Sequence, residues 1–262
     1  MEATVNGIKL HYEERGQGVP VMLVHAFPLS GVMWQAQCAA LERSYRCIVP
    51  DMRGFGGSDV PPGPTTMEQC ADDLAGLLDV LGIERVVLGG LSMGGYIAFA
   101  FLRRYAGRVR ALVLADTRTA ADTEEGRAGR ETNAQLAETQ GASAIAEMMI
   151  PILLSSTAPP ALQAQIRSMI EGNQPQGIAA ALRGMALRPD SADLLPHIQV
   201  PTLIVCGQED TLTTPAEMRT MHEAIPGSQF VEIAGAGHAA NLEQPEAFNK
   251  ALLVFLAGLP AA

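Results

Sequence analysis

The chain has no stretch of about 18 consecutive apolar residues, the length that reads as a membrane-spanning helix. Its opening residues, MEATVNGIKLHYEERG, carry neither the basic patch nor the apolar run of a secretory leader. A cytoplasmic location and no membrane partner are the resulting expectations. Cysteine is scarce: Cys38, Cys47, Cys70 and Cys206 are the four, none in a C-x-x-C pair and none clustered with histidine. They are expected to be buried thiols acting as small hydrophobes. The five histidines, His11, His25, His197, His222 and His238, show no H-x-x-x-H spacing, so neither a metal nor a cofactor is expected. Basic residues are also few, 18 Lys and Arg against 28 Asp and Glu, for a formal net charge of −10. A field of that sign repels phosphate backbones and anionic lipid surfaces. Nucleic acid is thereby disfavoured and a small molecule is the expected partner; the oligomeric state is left open.

What the chain does have is apolar material, 48% against 18% charged residues, enough for a large core and unlike the composition of disorder. Short β-branched runs alternate with longer stretches of helical period, the pattern of parallel strands joined by crossover helices. A hairpin is expected first, turning at Asn6-Gly7, followed by a strand over 19–27. A helix around Met33 to Leu41 and a strand ending at Asp51 come next, then the irregular segment RGFGGSDVPPG. Thr65 or Thr66 caps a helix whose Leu74, Leu77, Leu78 and Leu81 share one face and which stops at Gly82. Residues 85–91 read as a strand buried on both faces, Tyr96 to Tyr105 as a helix, and the strand VRALVLADT ends near Thr117.

From there to about residue 195 the β-type runs disappear. Residues 124–142 are charged and helix-prone, AEMMIPILL is apolar with a break at Pro151, and 161–188 is apolar at helical intervals. Strands over 200–210 and 228–237 follow, with helices from Pro215 to Ile225 and Pro245 to Leu256. The expected fold class is therefore α/β, a mostly parallel central sheet with helices on both faces and a small helical cap. Residues 1–117 and 196–262 form the core, and 118–195 are the cap inserted into it.

One short pattern concentrates the chemistry. Gly90-Leu91-Ser92-Met93-Gly94 matches G-x-S-x-G between a buried strand and a helix with no room for a loop, so the backbone must turn sharply at Ser92. Glycines two residues to either side are then a steric requirement. A serine hydroxyl needs a base within hydrogen-bond reach and a third group to orient that base. His238, in the Gly-rich loop IAGAGHAANLEQP after the last strand, is the candidate base. Asp210, ending TLIVCGQED, is the candidate acid, with Glu209 and Asp116 as rivals. Backbone N–H groups of Met93 and Phe27 are the expected oxyanion donors, and His25 is expected to fasten the Phe27 loop. In the cap, Met148, Met149, Ile150, Leu153, Leu154 and Met185 are candidates for an apolar pocket over Ser92, with Met148, Met149 and Leu153 as the chosen substrate contacts. A preference for apolar, uncharged acyl groups would follow.

HAFPLS, DMRGFGGSD, GGLSMGGYIA, GQEDTLTTP and GAGHAANLEQP together resemble the ordered signature blocks of the α/β-hydrolase fold esterases and lactonases. The segment from SDVPPG to LSMGG is similar to the 3-oxoadipate enol-lactonase branch, whose neighbours include carboxylesterases and cofactor-free haloperoxidases. The resemblance implies a Ser92, Asp210, His238 triad and carboxylic ester hydrolysis through an acyl-serine intermediate. Ala26 departs from it, since members usually have Gly there and Ala tolerates positive φ less well. Ser rather than Asp as nucleophile argues against dehalogenase and epoxide hydrolase chemistry. Lactone opening, C–C hydrolysis, cyanohydrin cleavage and perhydrolysis remain alternatives that keep the triad, and a non-catalytic ligand-binding protein on the same scaffold is the alternative of another class.

Overall fold

Asn6 and Gly7 both take positive φ, +47° and +78°, and this turns the chain back on itself as a tight hairpin. The turn joins β1 (Glu2–Val5) to β2 (Ile8–Arg15) as an antiparallel pair. The computed structural model describes residues 1–260. Six further strands follow: β3 (Val19–Val24), β4 (Tyr45–Pro50), β5 (Val86–Leu91), β6 (Val109–Ala115), β7 (Thr202–Gly207) and β8 (Gln229–Ile233). They form one sheet in the order β1-β2-β4-β3-β5-β6-β7-β8. The β2/β4 pair is antiparallel and every later neighbour is parallel. Strands β5 and β7, VVLGGL and TLIVCG, are buried along their whole length, as strands covered on both faces must be.

Helices cover the two faces in pairs: α1 (Gln35–Leu41) packs with α9 (Pro245–Ala257), and α2 (Met67–Val80) packs with α3 (Met93–Tyr105). Of the two threonines before α2, Thr66 is the cap. Its hydroxyl accepts the Gln69 N–H while the Gln69 side chain accepts the Thr66 N–H. Helix α3 starts at Met93, three residues before the apolar period suggested, because Gly94 and Gly95 have no side chain to register that period.

Between β6 and β7 the described residues contain no strand. They form α4 (Glu124–Leu153), α5 (Pro160–Glu171) and α6 (Pro175–Ala186), then a 3-10 turn over Ala192–His197. The break expected at Pro151 lies elsewhere: α4 runs through Pro151 to Leu153, and its one non-helical residue is Gly141, at φ +82° and ψ 179°. Pro151 sits in the last turn of α4, which continues past it, whereas Gly141 takes a backbone conformation that side chains disfavour. Helix α6 lies flush on the segment that leads into α2. A Cβ at Gly177 would stand 1.9 Å from Gly54 O, and one at Gly184 only 1.6 Å from Thr65 O. The Thr65 N–H donates to Ala180 O at 2.9 Å across the same contact.

The position of the candidate site follows from the strand order. The chain leaves β3 for β4 on one side and later reaches β5 on the other, so the loops after β3 and β5 part and leave a crevice at the carboxyl edge. His25 to Pro28 follow β3, and Ser92 follows β5. Helix α7 (Pro215–Ala224) precedes β8, and the short α8 (Ala240–Glu243) follows it. Among the described residues no helix is long and apolar enough to cross a membrane.

Candidate active site

Ser92 is the single residue between β5 and α3, and it takes φ +56° and ψ −112°. A non-glycine residue held there stores about 1–3 kcal/mol, which its surroundings must offset. Its N–H donates to Ala115 O at 3.0 Å, and its carbonyl accepts from Gly95 N at 2.9 Å and from Thr117 Oγ1 at 2.8 Å. The flanking glycines are sterically required, as expected: a Cβ on Gly90 would lie 2.2 Å from Gly94 O, and one on Gly94 2.3 Å from Val24 O.

Asp210 stands in the turn after β7 and His238 in the loop after β8, and the parallel β7/β8 pairing brings the two together. His238 Nδ1 is 2.8 Å from Asp210 Oδ2, with both residues buried. Asp210 Oδ1 accepts the N–H groups of Leu212 (2.8 Å) and Thr213 (2.9 Å), and Oδ2 also accepts the Thr213 hydroxyl at 2.5 Å. Burial alone pushes this carboxyl up, but the bonds from His238 and Thr213 outweigh it and its pKa is lowered. His238 Nε2 is buried with no hydrogen-bond partner, and His238 and Ser92 line the same cavity. The His238 loop is tied to the end of α4 by Glu243, whose carboxylate accepts Gly237 N–H (2.6 Å) and Ser155 N–H (3.0 Å).

The two rival acids lie differently. Glu209 is exposed. Asp116 is buried, with Oδ1 accepting Gly207 N–H at 2.7 Å. Burial, and then the neighbouring Asp210 charge, raise its pKa well above the ordinary carboxylate range and disfavour its charged form. Asp116, Cys206 and Asp210 bring one donor atom each within 4.8 Å of one another. They suit a cation poorly: burial raises the Cys206 thiol and keeps it protonated, burial disfavours the charged form of Asp116, and the Asp210 oxygens already accept four hydrogen bonds.

The loop after β3 is held at both ends. His25 Nε2 accepts the Met52 N–H at 3.0 Å, so its proton is on Nδ1, which donates to Ala26 O at 3.0 Å. Burial lowers the His25 pKa and keeps the ring neutral. Asn173, between α5 and α6, donates from Nδ2 to Pro28 O at 2.9 Å and accepts Gly56 N–H at 2.8 Å. Among the described residues the non-glycine positions with positive φ are Asn6, Ser92 and Asp116. Ala26 therefore has ordinary backbone, and alanine in place of the glycine of the resembled family carries no conformational cost there. Phe27 lines the cavity with Ser92. Met93 is the first residue of α3, where an N–H has no acceptor within the helix.

The cavity measures about 210 Å³. Met148, Met149, Leu153 and Met185 line it as expected, and Ile152 joins them. Ile150 and Leu154 do not. They lie on the opposite side of α4 in a separate surface depression, since 148, 149, 152 and 153 share one helical face and 150 and 154 another. Sequence reasoning missed Tyr96, Arg118, Arg130, Asn133 and Leu182 in the lining, and the Thr213 and Asn173 hydrogen bonds. One signal was available: Arg118 stands just beyond the carboxyl end of β6, next to β5 in the sheet, where ligands of open α/β sheets bind.

A family model described as alpha/beta hydrolase fold matches residues 19–245. The chain is 34% identical over 223 residues to 3-oxoadipate enol-lactonase 1 of Acinetobacter baylyi, covering 82% of this chain and 80% of that protein. Among solved structures, a malate-bound thermophilic esterase from Thermogutta terrifontis superimposes with a TM-score of 0.97 at 46% identity, covering 100% of this chain and 99% of the other. An enol-lactonase from Burkholderia xenovorans superimposes with a TM-score of 0.90 at 33% identity, covering 98% of this chain and 100% of the other.

Proposed function

The chain belongs to the α/β-hydrolase fold family and is a carboxylic ester hydrolase, and from that premise we propose that it cleaves small esters through an acyl intermediate on Ser92. The observation that carries this reading is the state of His238: Nδ1 is held by Asp210, while the buried Nε2 has no partner in the cavity that Ser92 shares. His238 Nε2 takes the Ser92 proton as Oγ attacks the ester carbonyl carbon, and Asp210 holds the tautomer and stabilises the imidazolium. The tetrahedral oxyanion is met by the N–H groups of Phe27 and Met93, each worth about 3 kcal/mol in such a role. Collapse expels the alcohol, which receives the proton from His238. Water, activated by the same imidazole, then releases the acid and restores Ser92. Residues 118–195 act as the cap over the 1–117 and 196–262 core, with Met148, Met149 and Leu153 contacting substrate; what supports this is that α4 and α6 supply cavity-lining residues opposite Ser92.

The test is hydrolysis of p-nitrophenyl acetate, butyrate and octanoate by wild type and Ser92→Ala, with fluorophosphonate labelling of both. Wild type is expected to be faster by about 10³-fold or more and to be the one labelled. Equal rates and no labelling would overturn the reading. Lactone opening is the second reading, favoured by the enol-lactonase relatives. It uses the same steps, except that the leaving hydroxyl stays tethered to the acyl group. Rates on γ-lactones and enol lactones beside open-chain esters separate the two.

A further inference from the structure

The loop that carries His238 has little of its own to hold it. Its sequence from Ala234 to Ala239, AGAGHA, offers no side chain larger than a methyl group apart from His238 itself, and Gly235 takes φ +66°. The imidazole is anchored at one end only. Nδ1 meets Asp210 Oδ2 at 2.8 Å and Thr213 Oγ1 at 3.2 Å, while Nε2 has no partner. A ring pinned at one nitrogen still swings about that point, so the direction of Nε2 depends on where the backbone of residues 237–239 is held. That placement matters, because an error of about 1 Å in a reacting group costs up to about 10²-fold in rate.

Both neighbours of His238 are tied to the same place, the end of α4. On one side, Glu243 Oε1 accepts the Gly237 N–H at 2.6 Å while its Oε2 accepts the Ser155 N–H at 3.0 Å, just past the last residue of α4. On the other side, the Ala239 N–H donates directly to Leu153 O at 2.8 Å. The contact is backbone against backbone: a Cβ at Gly237 would stand 2.6 Å from Ser155 N and 2.8 Å from the Leu154 carbonyl carbon. Among the described residues no cation pairs with Glu243, so its carboxylate is spent on these two N–H groups. Hydrogen bonds to an ionised acceptor are about twice as strong as neutral ones.

A carboxylate is the group this junction calls for. It presents two acceptor oxygens and no donor, whereas the amide of the same size presents one oxygen and one NH2. Glutamine at 243 would therefore satisfy one N–H and turn a donor toward the other. The same end of α4 supplies Ile152 and Leu153 to the wall of the Ser92 cavity. The wall and the imidazole thus move as one unit, joined through Glu243 and through Leu153 O.

Resting on the ester-hydrolase reading, we infer that Glu243 is a positioning residue of the reaction: by clasping Gly237 and Ser155 it fixes the His238 loop to the end of α4 and keeps Nε2 aimed at Ser92. Glu243 touches no substrate and moves no proton, and it does not line the cavity. Acylation and deacylation use the same imidazole, so both steps depend on the clasp.

The experiment measures p-nitrophenyl butyrate hydrolysis and the rate of fluorophosphonate labelling in wild type, Glu243→Gln, Glu243→Ala and Thr66→Ala, each well below its melting midpoint. In both Glu243 variants kcat is expected to fall about tenfold or more, with KM within about threefold and the labelling rate falling in parallel. Glu243→Gln keeps the size of the side chain and carries the test where Glu243→Ala fails to fold. Thr66→Ala is the control for stability alone: it removes the cap of α2, far from the site, and is expected to lower the melting midpoint by a few degrees while keeping kcat and labelling. A kcat within about threefold of wild type in folded Glu243→Gln, a loss carried by KM with kcat intact, or an equal loss of kcat in Thr66→Ala overturns the inference. Those outcomes leave the ester-hydrolase reading standing, since wild type still turns over and takes the label. A wild type that does neither overturns that reading, and the inference falls with it.

Discussion

Asp210→Asn exchanges one oxygen for an NH2 group and perturbs the proposed proton path at a single atom. The structure dictates which way the amide faces. Oδ1 accepts the N–H groups of Leu212 and Thr213, so an NH2 turned that way would leave two buried donors facing a donor, at about 1–3 kcal/mol each. The NH2 therefore occupies the Oδ2 site, facing Thr213 Oγ1 and His238 Nδ1, which lie 2.5 and 2.8 Å from that oxygen. Nδ1 must now accept a hydrogen bond, from the amide or from the Thr213 hydroxyl 3.2 Å away. The proton of the neutral imidazole moves to Nε2, where it blocks transfer from Ser92. The expected loss in kcat is about 10³- to 10⁴-fold, roughly 4–5.5 kcal/mol of transition-state stabilisation. KM should change little, because Asp210 does not line the cavity. The assay is steady-state hydrolysis of p-nitrophenyl butyrate, with the melting midpoint to show that the variant is folded. A loss below about tenfold in a folded variant refutes the reasoning and moves the acid's role to Asp116.

Three further outcomes follow from the same geometry. Asp116 keeps its proton in the folded state well above the ordinary value of 3.8, while the unfolded chain releases it above that pH, so its contribution to stability is lost as pH rises. Asp116→Asn retains an acceptor for Gly207 N–H without that loss, so its melting midpoint should exceed wild type at about pH 8 and converge with it toward about pH 3; equal midpoints at both would contradict the assignment. Ala26→Gly should cost only about 0.4–1 kcal/mol, through the unfolded state, and leave kcat/KM within about twofold, since Ala26 already has ordinary φ; a large rate gain would show that the loop needs positive φ. Gly184→Ala places a methyl 1.6 Å from Thr65 O and should destabilise by about 1–3 kcal/mol in urea unfolding, whereas a change under about 0.5 kcal/mol would mean that α6 shifts without strain.

The sheet was legible because each strand leaves its own record: VVLGGL and TLIVCG are continuous apolar runs bounded by glycine or charge. The three residues Ser92, Asp210 and His238 were legible for the same reason, since each stands just past the end of a recognisable strand and parallel pairing brings those ends to one edge. Helix boundaries inside 118–195 were harder. Pro151 is a breaker by composition, yet the helix continues past it to Leu153, and Gly141, unremarkable in sequence, carries the kink. The charge of the cavity was not legible at all. Eighteen Lys and Arg are spread through the chain, and which of them lacks a close carboxylate depends on tertiary pairing that no local pattern records.

Four consecutive residues show how closely the site's parts are bound to one another. Ala115 O accepts the Ser92 N–H, the Asp116 carboxyl lies against Asp210, Thr117 Oγ1 donates to Ser92 O, and Arg118 enters the cavity wall. A regular strand would send successive side chains to opposite faces. The positive φ of Asp116, +42°, ends that alternation directly after β6, so neighbours along the chain reach the acid, the elbow and the cavity together. The strain of two positive-φ residues, Ser92 and Asp116, is thus borne by one shared set of hydrogen bonds across adjacent strand ends. It follows that a substitution at Thr117 should loosen the elbow and shift the cavity wall at Arg118 at once, in a way that a change at Met148 or Met149 on the far wall would not.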